Sequence, residues 1–189
     1  MIFGWALAAM VGPPSEQQLV RLDDRHQVHN GDRLKMLVKP VSACWIYVVH
    51  QSPGDEITLL FPERSRLGKA LRRGRAYEAP ASSWFQLDEE TGRETVRLVA
   101  SAQRLESLER LLTEHAGAEG KARSALAQRI RGEIDALTQP LARTAQRPIP
   151  IAGTVRGRAE EWQDQLRQWI VELAGHGVVG RTIVLDHRS

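Results

Sequence analysis

The sequence predicts an α+β fold: an antiparallel β-sandwich, Ig-like in general form, with a three-helix insertion and a C-terminal strand returning to the sheet. Three observations carry this. Between residues 34 and 100, short apolar runs alternate with turn residues, and no helical crossover of the kind that parallel pairing needs lies between them. At Ser101 the apolar period changes from that of a strand to that of a helix. The last run, Arg181–His187, has the strand pattern again, and a lone strand after three helices finds partners only in the earlier sheet. The helices then interrupt one folding unit.

Composition narrows the class. A chain of 189 residues with 42% hydrophobic and 26% charged residues is neither mainly disordered nor a multi-span membrane protein. The formal charge of +3 is a weak pointer to any polyanionic partner. A single cysteine, Cys44, excludes an intramolecular disulfide, a cysteine metal cluster and a CxxC redox pair.

Residues 1–14 begin with an uncharged apolar run, Met1–Gly12, which Pro13-Pro14 ends. It is too short to span a bilayer. Two readings stand: the apolar core of a secretory signal whose basic leading region is missing, with small residues such as Ala6 and Ala8 near a cleavage point, or a short apolar arm on the folded body. The first places the protein in the periplasm or outside the cell, the second leaves it cytoplasmic. Residues 15–189 are expected to form a single β-sandwich domain with the helical insertion at about 102–177.

Ser15–Asp24 is a lead-in without a clear pattern, and Asn30-Gly31-Asp32 is a turn. Leu34–Lys39 and Ala43–His50 follow as strands. In the second, Cys44, Ile46 and Val48 share one face while Trp45, Tyr47 and Val49 share the other, so both faces are apolar, as in a central strand. Ser52-Pro53-Gly54-Asp55 turns the chain into a strand over Glu56–Phe61, making 43–61 a hairpin. A polar connection over 63–75 holds six cations and one acid. Short strands follow at Ala76–Ala79, Trp84–Leu87 and Thr95–Ala100.

Leu105, Leu108, Leu111 and Leu112 mark a first helix with Ser101 as its N-cap. Ala125, Leu126, Ile130, Ile134 and Leu137 mark a second over about Lys121–Thr138, stopped by Pro140. The prolines in Arg147–Ile151 impose an extended segment. Trp162, Leu166, Trp169, Ile170 and Leu173 mark a third helix over about Arg158–Ala174.

One series of motifs resembles a known family. Asn30-Gly31-Asp32-Arg33-Leu34, Trp45-Ile46-Tyr47-Val48-Val49, Ile57-Thr58-Leu59-Leu60-Phe61-Pro62, Tyr77-Glu78-Ala79-Pro80 and Gly92-Arg93-Glu94 before Val96–Ser101 occur in the order and spacing of the bacterial family called domain of unknown function 4384. The likeness covers about residues 28–101. Glu63 stands where that family often has Asn, and 102–180 has no counterpart in it. The resemblance implies a small β-domain of exported or envelope-associated proteins, often attached to peptidase-like or kinase-like modules, and no defined activity.

Candidate chemistry is sparse. Of His26, His29, His50, His115, His176 and His187, the first two are three residues apart, a spacing that brings two imidazoles to one ion on a helix, with Asp23-Asp24 beside them. Zinc sites need three or four converging ligands, and no HExxH motif is present, so no metal or cofactor is expected. Cys44 in an apolar strand behaves as a small hydrophobe, and Glu89-Glu90 are adjacent acids of a solvated turn. GxSxG, SxxK and phosphate-binding glycine loops are absent, so no catalytic residue is assigned. Trp162 and Trp169 have the spacing of a core stripe.

The densest charge feature is Arg64, Arg66, Lys69, Arg72, Arg73 and Arg75. It is either a solvated loop that keeps a sheet edge soluble or a docking site for an anionic lipid surface, a cell-wall polymer or an acidic protein. Nucleic acid fits poorly, because aromatics for base stacking are not interleaved. The sequence thus points to a non-enzymatic accessory module of the bacterial envelope that binds a protein or anionic partner through these six residues. The alternative is a hydrolase-like enzyme with its site at the sheet–helix junction.

Overall fold

The computed structural model describes residues 1–13, 15–138, 146–148 and 162–189. Among them the strands form two sheets. One holds β1 (Ile2–Val11), β2 (Gln18–Leu22), β4 (Arg33–Pro40), β7 (Tyr77–Ala79), β8 (Phe85–Gln86), β10 (Gln146–Pro148) and β11 (Val171–Ala174). The other runs in the order β3 (His26–His29), β12 (Val178–Arg188), β9 (Gly92–Ser101), β5 (Trp45–Gln51), β6 (Ile57–Phe61). The helices are α1 (Glu106–Gly117), α2 (Gly120–Thr138) and α3 (Trp162–Gln168).

The α+β class and the hairpin of β5 and β6 are as the sequence predicts. So is the returning C-terminal strand: β12 pairs antiparallel with β9 from Val178↔Ser101 to His187↔Gly92. Its other edge pairs parallel with β3, which the antiparallel expectation did not include. Parallel neighbours need a long connection, and here nearly the whole chain provides it.

One hydrophobic cluster takes residues from both sheets: Phe3, Trp5, Leu34 and Met36 from the first, and Ile46, Val48, Leu98 and Ile183 from the second. The opposite face of β5 and β9 carries Tyr47, Val49 and Val99, which pack with Leu108, Leu111 and Leu112 of α1 and Ala127, Ile130 and Ile134 of α2. Strand β5 is therefore apolar on both faces because one joins the cluster shared by both sheets and the other packs on a helical hairpin. On β1 and β4, Ala6, Ala8 and Leu37 meet Leu166 of α3.

The run Met1–Gly12 forms β1 in this fold, between β4 on one side and β2 and β11 on the other, with Phe3–Met10 buried. Three expectations are corrected. The lead-in 15–24 contains β2, whose pairing with β1 its own pattern did not announce. Ser101 does not cap α1; it ends β9, and α1 begins after Leu105 without a side-chain cap.

The third helix is short. Trp169 and Ile170 leave it, and Val171–Ala174 pairs with Ile2–Trp5 as a strand, because hydrogen bonding to the open edge of β1 outweighs helical periodicity. Leu173 consequently joins the cluster between the sheets. Of the expected helix, 158–161 lies outside the described residues, as does 149–151 of the extended segment. The end of α2 lies so close to β12 that a Cβ at Gly180 would meet Thr138 Cγ2, and this position requires glycine.

Candidate functional site

The connection from β6 to β7 runs from the edge strand of one sheet to the edge strand of the other. It carries the six candidate cations, and its path is fixed at several points. Arg64–Arg66 forms a short 3-10 turn. Leu67 packs against the α1–α2 cluster, and Leu71 packs against the cluster between the sheets and bridges Cys44. The Gly74 N–H donates to Pro40 O at 2.8 Å. Hydrophobic anchors and backbone hydrogen bonds thus hold a loop whose composition alone reads as solvated.

The central anchor is Glu109 of α1. Its Oε1 accepts from Tyr47 Oη at 2.7 Å and from the Gly68 N–H at 2.9 Å, and its Oε2 accepts from Arg104 Nε at 2.8 Å. Trp45 Nε1 donates to Gly68 O. Gly68 has φ +79° and lies where a Cβ would crowd the Arg104 guanidinium, so the turn at the anchor favours glycine. Burial pushes the Glu109 carboxyl upward, but its bonds to Arg104, Tyr47 and Gly68 outweigh that and hold it below the usual glutamate value. Burial, with Glu109 as partner, raises the Tyr47 phenol well above its ordinary value.

Around this clamped loop, Arg66, Lys69, Arg72 and Arg75 line one pocket of about 280 Å³ together with Phe61 and Tyr77. Tyr77 Oη accepts from the Arg72 N–H at 2.9 Å, Arg75 lies over the Tyr77 ring at 5.4 Å, and the Phe61 and Tyr77 rings are 6.0 Å apart. All four cationic side chains are exposed. Among the described residues, none of the six candidate cations has a carboxylate partner within ion-pair distance. Arg64 and Arg73 do not line this pocket. A neighbouring pocket shares Phe61, Arg66, Arg75 and Tyr77 and adds the acids Glu63 and Glu78.

Two buried polar clusters went unread in the sequence. His50 Nε2 lies 2.6 Å from Glu94 Oε2 and His187 Nδ1 lies 3.0 Å from Glu94 Oε1, with all three residues at most 3% exposed. An ionised carboxylate can only accept, so an ionised Glu94 requires a proton on both facing nitrogens. Among the described residues, the four surface pockets of 240–290 Å³ are lined by none of the three. Alternation along β5, β9 and β12 places each on the face between the sheets, but their sequence separation gives no local signal.

The second cluster centres on Lys35 of β4, 2% exposed. Its Nζ donates to Pro80 O at 2.9 Å and to Ser83 O at 2.6 Å, faces Glu78 at 3.3 Å, and lies near the Trp84 and Trp162 rings. Burial lowers its pKa against the pull of Glu78. With three acceptors around it, this ammonium is fully satisfied and fixes the 80–84 turn.

The other candidates fall as follows. His26 and His29 are on a strand, where residues three apart point to opposite faces, so the helical spacing does not bring them together. Asp23 and Asp24 bond separately, with Asp24 Oδ1 accepting the Val184 N–H. Cys44 is buried, and burial pushes its thiol up to about 11. Glu89 and Glu90 are exposed, and the Glu90 N–H bonds Asp88. Trp162 and Trp169 pack on the cluster formed by Ala6, Ala8, Leu37 and Leu166.

No curated protein and no solved structure matches the chain. A family model does match, over residues 27–104, which reach from β3 through the basic loop and β9 to Arg104 and leave β1, β2, the helices and β10–β12 outside. That span contains every cation of the pocket and the motifs that carry the resemblance, and over residues 27–104 the chain is similar to the family described as Domain of unknown function (DUF4384).

Proposed function

We propose that this protein is a non-enzymatic accessory module of the bacterial envelope that docks an anionic partner, a protein or a charged surface, through the loop at 64–75. The observation that carries the reading is the convergence of Arg66, Lys69, Arg72 and Arg75 on one pocket with no carboxylate partner among the described residues. The loop's six cations exceed the chain's surplus of three, so the rest of the molecule is net negative and the positive potential is local. A loop held by Glu109, Cys44 and Pro40 presents its charges with little ordering cost on binding.

In this reading the two sheets stack as a sandwich of Ig-like general form, with the loop bridging their edges and pinned to α1 through Leu67 and Gly68. The envelope setting follows what the family resemblance implies. The hydrolase alternative has less to stand on: at the sheet–helix junction Tyr47 and Arg104 each bond Glu109, and the His50–Glu94–His187 residues are buried.

The test is capture from envelope extract with the wild-type protein and with a variant in which Arg64, Arg66, Lys69, Arg72, Arg73 and Arg75 are replaced by Ser. A partner retained by the wild type, released by salt and absent from the folded variant supports docking through the loop. Equal recovery by both proteins overturns it.

A further inference from the structure

We infer that the pocket formed by Arg66, Lys69, Arg72, Arg75, Phe61 and Tyr77 is a receptor for a compact phosphomonoester group; this rests on the anionic-docking reading and names the chemistry of the anion. Four cations around about 280 Å³ attract a doubly charged anion more strongly than a monoanion. A phosphomonoester brings a charge of about −1.5 to −2 and three strong acceptor oxygens. Three of the four cations are arginines, whose planar forks bond two phosphate oxygens at once.

The aromatic pair shapes the site. Tyr77 holds the Arg72 backbone and lies under the Arg75 guanidinium, so both arginines approach the cavity from fixed stems. The acids set its length: Glu63 and Glu78 line the adjoining pocket beyond Arg66 and Arg75, and an extended polyanion crossing there would meet their carboxylates. A terminal phosphate escapes that repulsion, whereas a nucleic acid strand or an acidic polymer does not.

Two sources supply such a group, a soluble phosphorylated molecule or a lipid headgroup, and the same probes separate them. The probes are glycerol 3-phosphate, succinate as a dicarboxylate of similar charge, and phosphatidylcholine vesicles containing either phosphatidate or about twice as much phosphatidylglycerol, a monoanionic diester, so that surface charges match. Binding is measured by titration calorimetry and vesicle co-sedimentation for the full chain, for Arg66→Ala/Arg75→Ala, and for Arg64→Ala/Arg73→Ala.

The expected result is glycerol 3-phosphate binding at least about tenfold tighter than succinate, or phosphatidate vesicles preferred by the same margin over phosphatidylglycerol. In either case the margin is lost in the 66/75 variant and kept in the 64/73 variant. Preference for vesicles alone identifies a lipid source, and preference for the soluble ester alone a solute. Equal binding of phosphomonoester and control in both pairs, or a preference untouched by the 66/75 substitution, overturns the inference. If the controls bind equally and depend on Arg66 and Arg75, anionic docking survives without phosphate selectivity. If nothing binds, the phosphomonoester site falls and the envelope-capture test decides the broader reading. Both variants alter exposed side chains, and an unchanged unfolding midpoint confirms that each is folded.

Discussion

The two ends of strand β5 handle charge in opposite ways. At the Trp45 end, the basic loop is tied down through Gly68 and Leu71, and its guanidinium groups are left in water without carboxylate partners among the described residues. Five residues along, about 17 Å at the rise of a strand, His50 meets Glu94 and His187 in a cluster that no described pocket reaches. Polar groups that are buried and mutually bonded tie β5, β9 and β12 together. Charges left exposed on a fixed loop add little to stability and are available to a partner. Glu109 links the two modes, since it is a buried carboxylate whose bonds fix the exposed loop.

The largest effect expected from breaking this contrast is at Glu94. Glu94→Ala leaves two buried imidazoles without their acceptor and is predicted to cost about 2–6 kcal/mol in denaturant unfolding, with loop binding per folded molecule unchanged. A cost below about 1 kcal/mol would mean that the cluster does not hold the three strands.

Next comes Glu109→Gln, predicted to lower the melting temperature by roughly a few degrees and to weaken phosphomonoester binding, because the Gly68 turn loses its charged acceptor. Its pH dependence has a definite sign. The folded protein holds this carboxyl below its ordinary value, so its contribution is complete above the unfolded value of about 4.3 and is lost as pH falls through the lower folded value. Thermal melts from pH 6 to pH 3 should therefore show an acid-dependent loss in the wild type that is reduced in the variant.

At the exposed end, Arg66→Ala/Arg75→Ala is predicted to change unfolding free energy by no more than about 0.5 kcal/mol. A larger loss would make these residues structural and erase the contrast between the two ends. The smallest effect is expected for Arg64→Ala/Arg73→Ala, which should leave phosphomonoester affinity within about twofold, measured by the same titration.

Much of the strand content was readable. The β4, β5, β6 and β9 runs are bounded by turn residues, and the two apolar faces of β5 are those that join the cluster shared by both sheets and the helical hairpin. The α1–α2 hairpin was readable from leucine and isoleucine spacing, although Ala127 rather than Ala125 is buried. Strand β1 was not, because residues buried on both faces lose the alternation that marks a strand and resemble a signal core. Strand β11 was not, because Trp169, Ile170 and Leu173 fit a helical stripe until the open edge of β1 claims the backbone. Of the candidate site, the cation run was visible in the sequence. The division into four cations that share a pocket and two that do not was invisible.

The sequence by itself determined the periods and the turns, and with them the α+β class, the helical hairpin, the C-terminal strand and the local surplus of positive charge, since each depends on neighbours a few residues apart. Tertiary structure alone decided that the first strand lies inside a sheet, that Glu94 collects histidines from positions 50 and 187, and that Glu109 holds the loop at Gly68. Those outcomes depend on which distant backbone and side-chain groups must bond one another once water is excluded, and local spacing does not encode that pairing.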